Sequence, residues 1–560
     1  MSTTGMTGAQ ALLGGLRAMG VDRIYASPGS DWAPLWEALA APAAERDFPR
    51  YISSRHEETA VAMAMGYVKA TGRLAAVVLH TTVGALHAAM LLRAALHERI
   101  PLVVLAGESI AFAEHPSVPV GRQWLRLLTD LGGPARLMES CAKWSFGLNT
   151  GMLLPHTVQR ACQIAVAAPK GPVFVSIPLE HLVEVVPAPA PPAALPLAAV
   201  ASDAAIDRLA EALNAARNPV IITEEAGRDP AAVPALVELA ETLGAPVFEA
   251  WQPYYVNFPR RHPLAGGIAA DDLPDLLQAA DTVFLVESVL PWHPPSRITD
   301  KTVLVLGEEP LHSRLPFWGF RADVIATGDV APSLRALQRK LTKKSASHGW
   351  PARLAERRAT LMEAARLAGE KPLIENVWVG HVLNQVLPEN AVVVNETITH
   401  RLALHQQLDR LGPGASYEAS YGGLGAGLGL ALGVKSAQPE RIVVLTIGDG
   451  AFHYNPVVAS LGAAQEHGLP IFVILFNNAG YLSQKSDVIN TFPRGEAART
   501  GKVVGTSITP APDYPALARA YGGVGDRVER PADLRAALER GLAAVAQGRL
   551  ALLEVVLKAV

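Results

Sequence analysis

A chain of 560 residues, half of them hydrophobic and only 18% charged, is too long for one core and reads as a well-buried, multidomain globular enzyme. Its net charge of −3, with basic and acidic residues mixed rather than blocked, excludes the electrostatic footprint of a nucleic-acid or acidic-membrane partner. No apolar run reaches the roughly 18 to 20 residues that span a bilayer. Met1 to Gly8 lack a signal peptide's basic region. The two cysteines, Cys141 and Cys162, show no metal-ligand or C-x-x-C spacing, so a cytoplasmic protein without a structural disulfide is expected.

Short β-rich apolar runs alternate with amphipathic helical stretches, the pattern of parallel sheets wound by helices. The first predicted strands are residues 23–26, 75–80, 102–106 and 173–177, followed by a proline- and alanine-rich linker over 186–197. The next are 220–223, 246–249, 282–287 and 302–306, before a basic, polar stretch over 339–349 and a helix to Ala368. The last are 391–395, 442–447, 471–477 and 551–556. This is an α/β chain of three doubly wound parallel-sheet domains, over 1–185, 201–338 and 370–560. Such sheets bind ligands beyond the carboxyl ends of their strands.

Strand 442–447 runs into Gly448-Asp449-Gly450, and the following strand closes on Asn477-Asn478. Glycines let backbone approach a phosphate, and a helix starting near Asn455-Pro456 would aim its N-terminal amides there. Asp449 offers a hard anionic oxygen, Asn478 a neutral one and Gly480 a carbonyl. Magnesium takes six oxygens, largely from phosphates and water, so three from protein suffice. Either motif alone is an ordinary turn. Together, each ending an apolar strand with a helix between, they point to a diphosphate–magnesium site.

These segments resemble the thiamin-diphosphate enzymes of the pyruvate decarboxylase, acetohydroxyacid synthase and benzoylformate decarboxylase group. Their signature is Gly-Asp-Gly followed by roughly 25 to 30 residues and a double Asn. The resemblance covers the whole chain and implies pyrimidine-binding, middle and diphosphate-binding domains in that order. Arg55-His56-Glu57-Glu58, before a helix containing Gly66-Tyr67, resembles the family's activating block. Glu57 would exchange a proton with N1′ of the cofactor's aminopyrimidine, while Glu58 reads as a helix-capping carboxylate. In the family this glutamate reaches cofactor held by the neighbouring subunit, which implies a homo-oligomer, at least a dimer and by expectation a tetramer.

Further resemblances are closest to benzoylformate decarboxylase. Ser27-Pro28-Gly29-Ser30-Asp31 is similar to its turn in which a serine contacts substrate carboxylate; Ser30 would do that, or cap the helix at Trp32. Leu79-His80-Thr81 resembles its Leu-His-Ser segment, making His80 a proton relay, with a core histidine as the alternative. His87 and His97 read as structural. His293, in Pro291-Trp292-His293-Pro294, matches an active-site histidine. Asn395-Glu396-Thr397 resembles the phosphate-side loop, and Ala451 and Tyr481 join Gly448 and Gly450 as cofactor contacts. In Tyr421-Gly422-Gly423-Leu424-Gly425, Leu424 would wedge between the cofactor's rings and the Gly422 carbonyl would accept from its 4′-amino group.

Two departures matter. Tyr481 to Ser486 is more polar than an aryl pocket needs, and the Arg-Phe-Asp-Asp-Arg stretch of FAD-binding synthases is missing near Glu287, so flavin is not expected. The resemblance implies thiamin diphosphate and Mg2+ as cofactors, and non-oxidative decarboxylation of a small 2-oxo acid to an aldehyde and CO2. The alternative is acetolactate-synthase-like carboligation with a second carbonyl compound.

Overall fold

Every predicted strand becomes an inner strand of a six-stranded sheet, and the chain builds three such sheets. The computed structural model describes all residues except 1–4, 113, 115–117, 119–122, 131, 188–190, 270–271, 344–347, 420–422 and 559–560. The first sheet contains β1 (Arg23–Ser27), β2 (Arg50–Ser53), β3 (Ala75–Leu79), β4 (Leu102–Glu108), β5 (Trp144–Gly147) and β6 (Val173–Pro178), in the order β2-β1-β3-β4-β6-β5. The second contains β7 (Pro219–Thr223), β8 (Val247–Ala250), β9 (Ala265–Ala269), β10 (Thr282–Val286), β11 (Thr302–Gly307) and β12 (Val324–Thr327), in the order β9-β8-β7-β10-β11-β12. The third contains β13 (Ala391–Glu396), β14 (Ser416–Glu418), β15 (Ile442–Gly448), β16 (Phe472–Asn477), β17 (Val524–Val528) and β18 (Ala551–Val556), in the order β14-β13-β15-β16-β18-β17.

All pairings within these sheets are parallel. The first and third sheets share one strand order, and the middle sheet has another. In the two matching sheets the order reverses between β1 and β3, and between β13 and β15. Those are the crevices where a doubly wound sheet receives its ligand.

Contacts gather the chain into two compact units. One holds the first sheet together with residues 419–440 and 453–471, and the other holds the middle and third sheets. In the first unit, helix α1 (Glu57–Thr71) packs against helix α3 (Gly427–Ala437), while α2 (Thr82–His97) follows β3. Glycines set the closeness of α1 and α3. A Cβ on Gly66 would lie 2.1 Å from the Leu430 oxygen, and one on Gly433 would lie 2.0 Å from the Met63 oxygen.

Gly433→Ala tests this packing, because two effects oppose each other. Alanine gains about 1 kcal/mol of helix propensity, whereas forcing a methyl against a backbone carbonyl costs about 1–3 kcal/mol or more. The clash should win and lower the thermal midpoint. An unchanged midpoint would show that the helices separate freely.

No described helix is long and apolar enough to cross a membrane. Both cysteines are free, with Cys162 buried.

Candidate active site

At the end of β1 the chain turns through Pro28 and Gly29 into a single 3-10 turn, Ser30–Trp32. Asp31 in that turn is fully buried, and its Oδ1 lies 2.6 Å from Nδ1 of His80, the residue just past β3. Two glycines make room for this pair. A Cβ on Gly29 would lie 2.2 Å from His80 Nδ1, and one on Gly107 would lie 1.8 Å from Asp31 Oδ2. A carboxylate at Nδ1 keeps a proton on that nitrogen, so proton exchange falls to Nε2. Asp31 was not among the predicted site residues; its partner lies 49 positions away, beyond the reach of a local motif.

Ser30 is exposed, and its Oγ accepts from Gln123 Nε2 at 3.1 Å. Gly29 occupies the cap position, without a side-chain capping bond, which removes the capping reading of Ser30. The loop after His80 is pinned by Asp130. Its Oδ1 accepts from the hydroxyls of Thr81 and Thr82 at 3.2 and 3.1 Å, and its Oδ2 from Ser109 at 3.1 Å.

Glu57 is the first residue of α1, reached through Arg55 in the left-handed region at φ 62°. Glu58, expected as the capping carboxylate, is not the cap: the Glu58 amide donates to Nδ1 of His56 at 3.2 Å, and burial raises the Glu58 carboxyl. Glu57 and His80 come together around Gly84, whose Cβ would lie 3.0 Å from His80 Cβ and 3.3 Å from Glu57 Oε1. Glu57 Oε2 also lies 3.3 Å from Nδ1 of His87. His87 was expected to be structural, yet its side chain is 63% exposed.

Leu424 is half-buried ahead of α3, next to Gly425 at φ 110°, where a Cβ would lie 2.8 Å from the Tyr454 oxygen. Gly422 lies outside the described residues.

In the second unit, β15 delivers Gly448 and then Asp449, which is 2% exposed. Asp449 Oδ1 accepts from the Gly450 amide at 2.9 Å, and its Oδ2 from the Gly480 amide at 3.0 Å. Burial pushes its carboxyl up to about 6, and no cationic side chain pairs with it among the described residues. A buried carboxylate served only by amides is a donor set suited to a hard cation. Beside it, a Cβ on Gly448 would meet only the Thr397 oxygen, at 3.8 Å, which leaves room for a phosphate. The residues present therefore fit a diphosphate–metal group.

The next strand's end is shaped by Ala479, in the left-handed region at φ 59°. Asn478 Oδ1 accepts from the Gly480 amide at 3.2 Å, and its Nδ2 lies 3.3 Å from His400 Nε2. Burial lowers His400 to about 4, so it is neutral at pH 7. Residues 506–508 clamp this turn: the Tyr481 amide donates to the Thr506 oxygen at 2.8 Å, and the Ile508 amide to the Ala479 oxygen at 2.9 Å. The Tyr481 ring lies over Gly450, where a Cβ would approach it to 2.8 Å. A short helix, Asp449–Tyr454, opens directly at this turn with Ala451 buried in it, and the helix expected near Asn455-Pro456 follows as Val457–Glu466, with Pro456 at its cap position.

Asn395 is committed to the protein. Its Nδ2 donates to both oxygens of Glu418 at 3.0 Å, and its Oδ1 accepts from the Thr397 and Thr446 hydroxyls at 2.8 and 2.9 Å. It positions the loop and has no donor left for a phosphate. Glu396 and Thr397 are buried beside it, and Ile398 follows at φ 48°. Left-handed backbone at a β-branched residue is costly and gathers at functional sites. His293 is exposed after β10, while its neighbour Trp292 is anchored against Phe320, 5.4 Å between ring centroids.

Comparison with known proteins gives the family of the chain. The thiamine pyrophosphate enzyme N-terminal TPP binding domain matches residues 6–125, the central domain 206–337 and the C-terminal TPP binding domain 399–555. The chain is 29% identical to benzoylformate decarboxylase of Pseudomonas aeruginosa, over 94% of this chain and 95% of that protein. It is 28% identical to acetolactate synthase large subunit IlvG of Mycobacterium tuberculosis, over 94% of this chain and 92% of that protein. Its fold matches a thiamine diphosphate-dependent 4-hydroxybenzoylformate decarboxylase of Rhodococcus jostii RHA1, with TM-score 0.81, 24% identity and coverage of 99% and 100%. Three domain matches in one family's order show that the chain belongs to the thiamine pyrophosphate (thiamin diphosphate) enzymes.

Proposed function

We propose that this enzyme is a thiamin-diphosphate- and magnesium-dependent decarboxylase that converts a 2-oxo acid to an aldehyde and CO2. The carrying observation is the His80–Asp31 pair, because aldehyde release needs a proton delivered to the reacting carbon, and a carboxylate-held imidazole beside Glu57 is equipped to deliver it. Bound thiamin diphosphate supplies a nucleophilic ring carbon and an electron sink for CO2 loss. Glu57 holds the proton at the aminopyrimidine N1′. Asp449, Asn478 and the Gly480 carbonyl hold Mg2+, Gly448, Gly450, Ala451 and Tyr481 line the diphosphate, and Leu424 supports the rings. Ser30 binds the substrate carboxylate. The residue ranges 1–185, 201–338 and 370–560 serve as pyrimidine-binding, middle and diphosphate-binding domains, in a homo-oligomer.

The middle sheet supports the reading without flavin. Where its order reverses, past β7 and β10, Glu225, Glu287 and Glu308 surround Arg228, with Glu287 at 3.1 Å and Glu308 at 3.4 Å. Glu224 adds a fourth carboxyl, raised to about 7 by burial. A crevice so rich in carboxyls disfavours an anionic dinucleotide.

The acetolactate synthase relatives keep carboligation as the second reading. His80→Ala separates the two. If His80 delivers the proton, its loss should slow aldehyde formation at least about a hundredfold. An added aldehyde should then raise the hydroxyketone-to-aldehyde ratio. A core histidine would instead lower the thermal midpoint and leave turnover per cofactor-loaded site unchanged, which would sink the reading.

A further inference from the structure

A second cluster of donors stands on the same face of the first unit, and it contains nitrogen as well as oxygen. His56, Glu57 and His87 each present one ligand atom, and these atoms lie within 4.8 Å of one another. The two imidazoles are stacked, with centroids 5.5 Å apart and planes 3° from parallel. His56 caps α1, Glu57 opens it, and His87 reaches across from α2. His87 is largely exposed and Glu57 is partly so, at 63% and 15% of their side chains, so the cluster is open to solvent in this chain.

We propose that His56, Glu57 and His87 form a binding site for a zinc-class divalent ion. Two imidazoles and one carboxylate are the donor set that zinc accepts with three protein ligands and a water. Magnesium prefers all-oxygen surroundings, so the ion serving Asp449 would not compete here. His56 must release the Glu58 amide to bind, because a neutral imidazole has a single lone pair. That exchanges one neutral hydrogen bond for a metal–nitrogen bond. A consequence rests on the proposed role of Glu57: zinc and thiamin diphosphate would draw on one carboxylate, so zinc would hold the enzyme in its cofactor-free state.

The test uses the full-length chain freed of metals and cofactor, titrated with zinc chloride by calorimetry in excess Mg2+. One zinc per chain is expected. His87→Ala, a change at an exposed side chain, should weaken zinc binding about a hundredfold or more, since loss even of a ligand's supporting partner costs 10–100-fold. Cobalt in place of zinc should give visible absorption bands that His87→Ala removes. Absence of zinc uptake, or wild-type zinc affinity in His87→Ala with an unchanged thermal midpoint, would overturn the site. Thiamin diphosphate uptake with and without zinc then tests the consequence separately. Zinc binding that depends on His87 but leaves cofactor uptake unaltered keeps the metal site and removes Glu57 from the cofactor.

Discussion

Asp449→Asn is expected to move stability and cofactor retention in opposite directions. Magnesium-dependent retention of thiamin diphosphate should fall at least about a hundredfold, because one carboxylate is a large share of the protein's charge toward the ion. The cofactor-free variant should nonetheless melt higher than wild type at pH 7. Burial raises the Asp449 carboxyl from 3.8 to about 6, so the folded chain holds this proton more tightly than the unfolded chain does. Stability from this group is therefore complete below about pH 4 and is lost as pH rises through about 6, a penalty on the order of 2–3 kcal/mol. Asparagine removes the charge and with it the penalty, while a bound cation offsets it in the wild type. Wild-type cofactor loading should accordingly weaken as pH falls through about 6, when protons displace the metal. A variant that retains cofactor with unchanged magnesium dependence would show that Asp449 is not a ligand.

Glu57→Gln should have the second large effect, confined to proton movement. The amide matches the carboxyl in shape, so fold and cofactor affinity should stay close to wild type. Hydrogen–deuterium exchange at C2 of bound thiamin diphosphate should slow by about 10²- to 10⁴-fold, the usual worth of general acid–base help. Exchange at the wild-type rate would remove Glu57 from this role.

What was legible in the sequence followed burial. The twelve predicted strands are inner strands of the six-stranded sheets. Among the described residues, those that escaped prediction are the two edges of each such sheet, β2, β5, β9, β12, β14 and β17, and the two-residue strands Met6–Thr7 and Val185–Val186, which pair with each other antiparallel. Inner parallel strands are covered on both faces and read as unbroken apolar runs, as in Val173–Pro178, which is buried throughout. Edge strands are short and half-solvated, as in Trp144–Gly147, or interleave polar residues, as in Val524–Val528. At the site, the Gly-Asp-Gly turn and the His-Glu block were visible because their residues are neighbours in the chain. Asp31, Asp130 and Gln123 were not, because their bonds to His80, to Thr81 and Thr82, and to Ser30 join segments 48 to 93 residues apart. Nor does any propensity announce left-handed backbone at Ile398 or Ala479; only tertiary constraint can impose it.

The close approach of α1 and α3 also constrains the order of events on the ribosome. The first unit needs residues up to Pro196 and two segments that end at Ile471, so about 275 further residues, most of them belonging to the other unit, must be made before it can close. At about 5–20 residues per second, the nascent N-terminal sheet waits roughly 14–55 s with the small-residue face of α1 uncovered. During that interval Gly66 and its neighbours offer a bare apolar surface to any chaperone, or to a second nascent chain at the same stage.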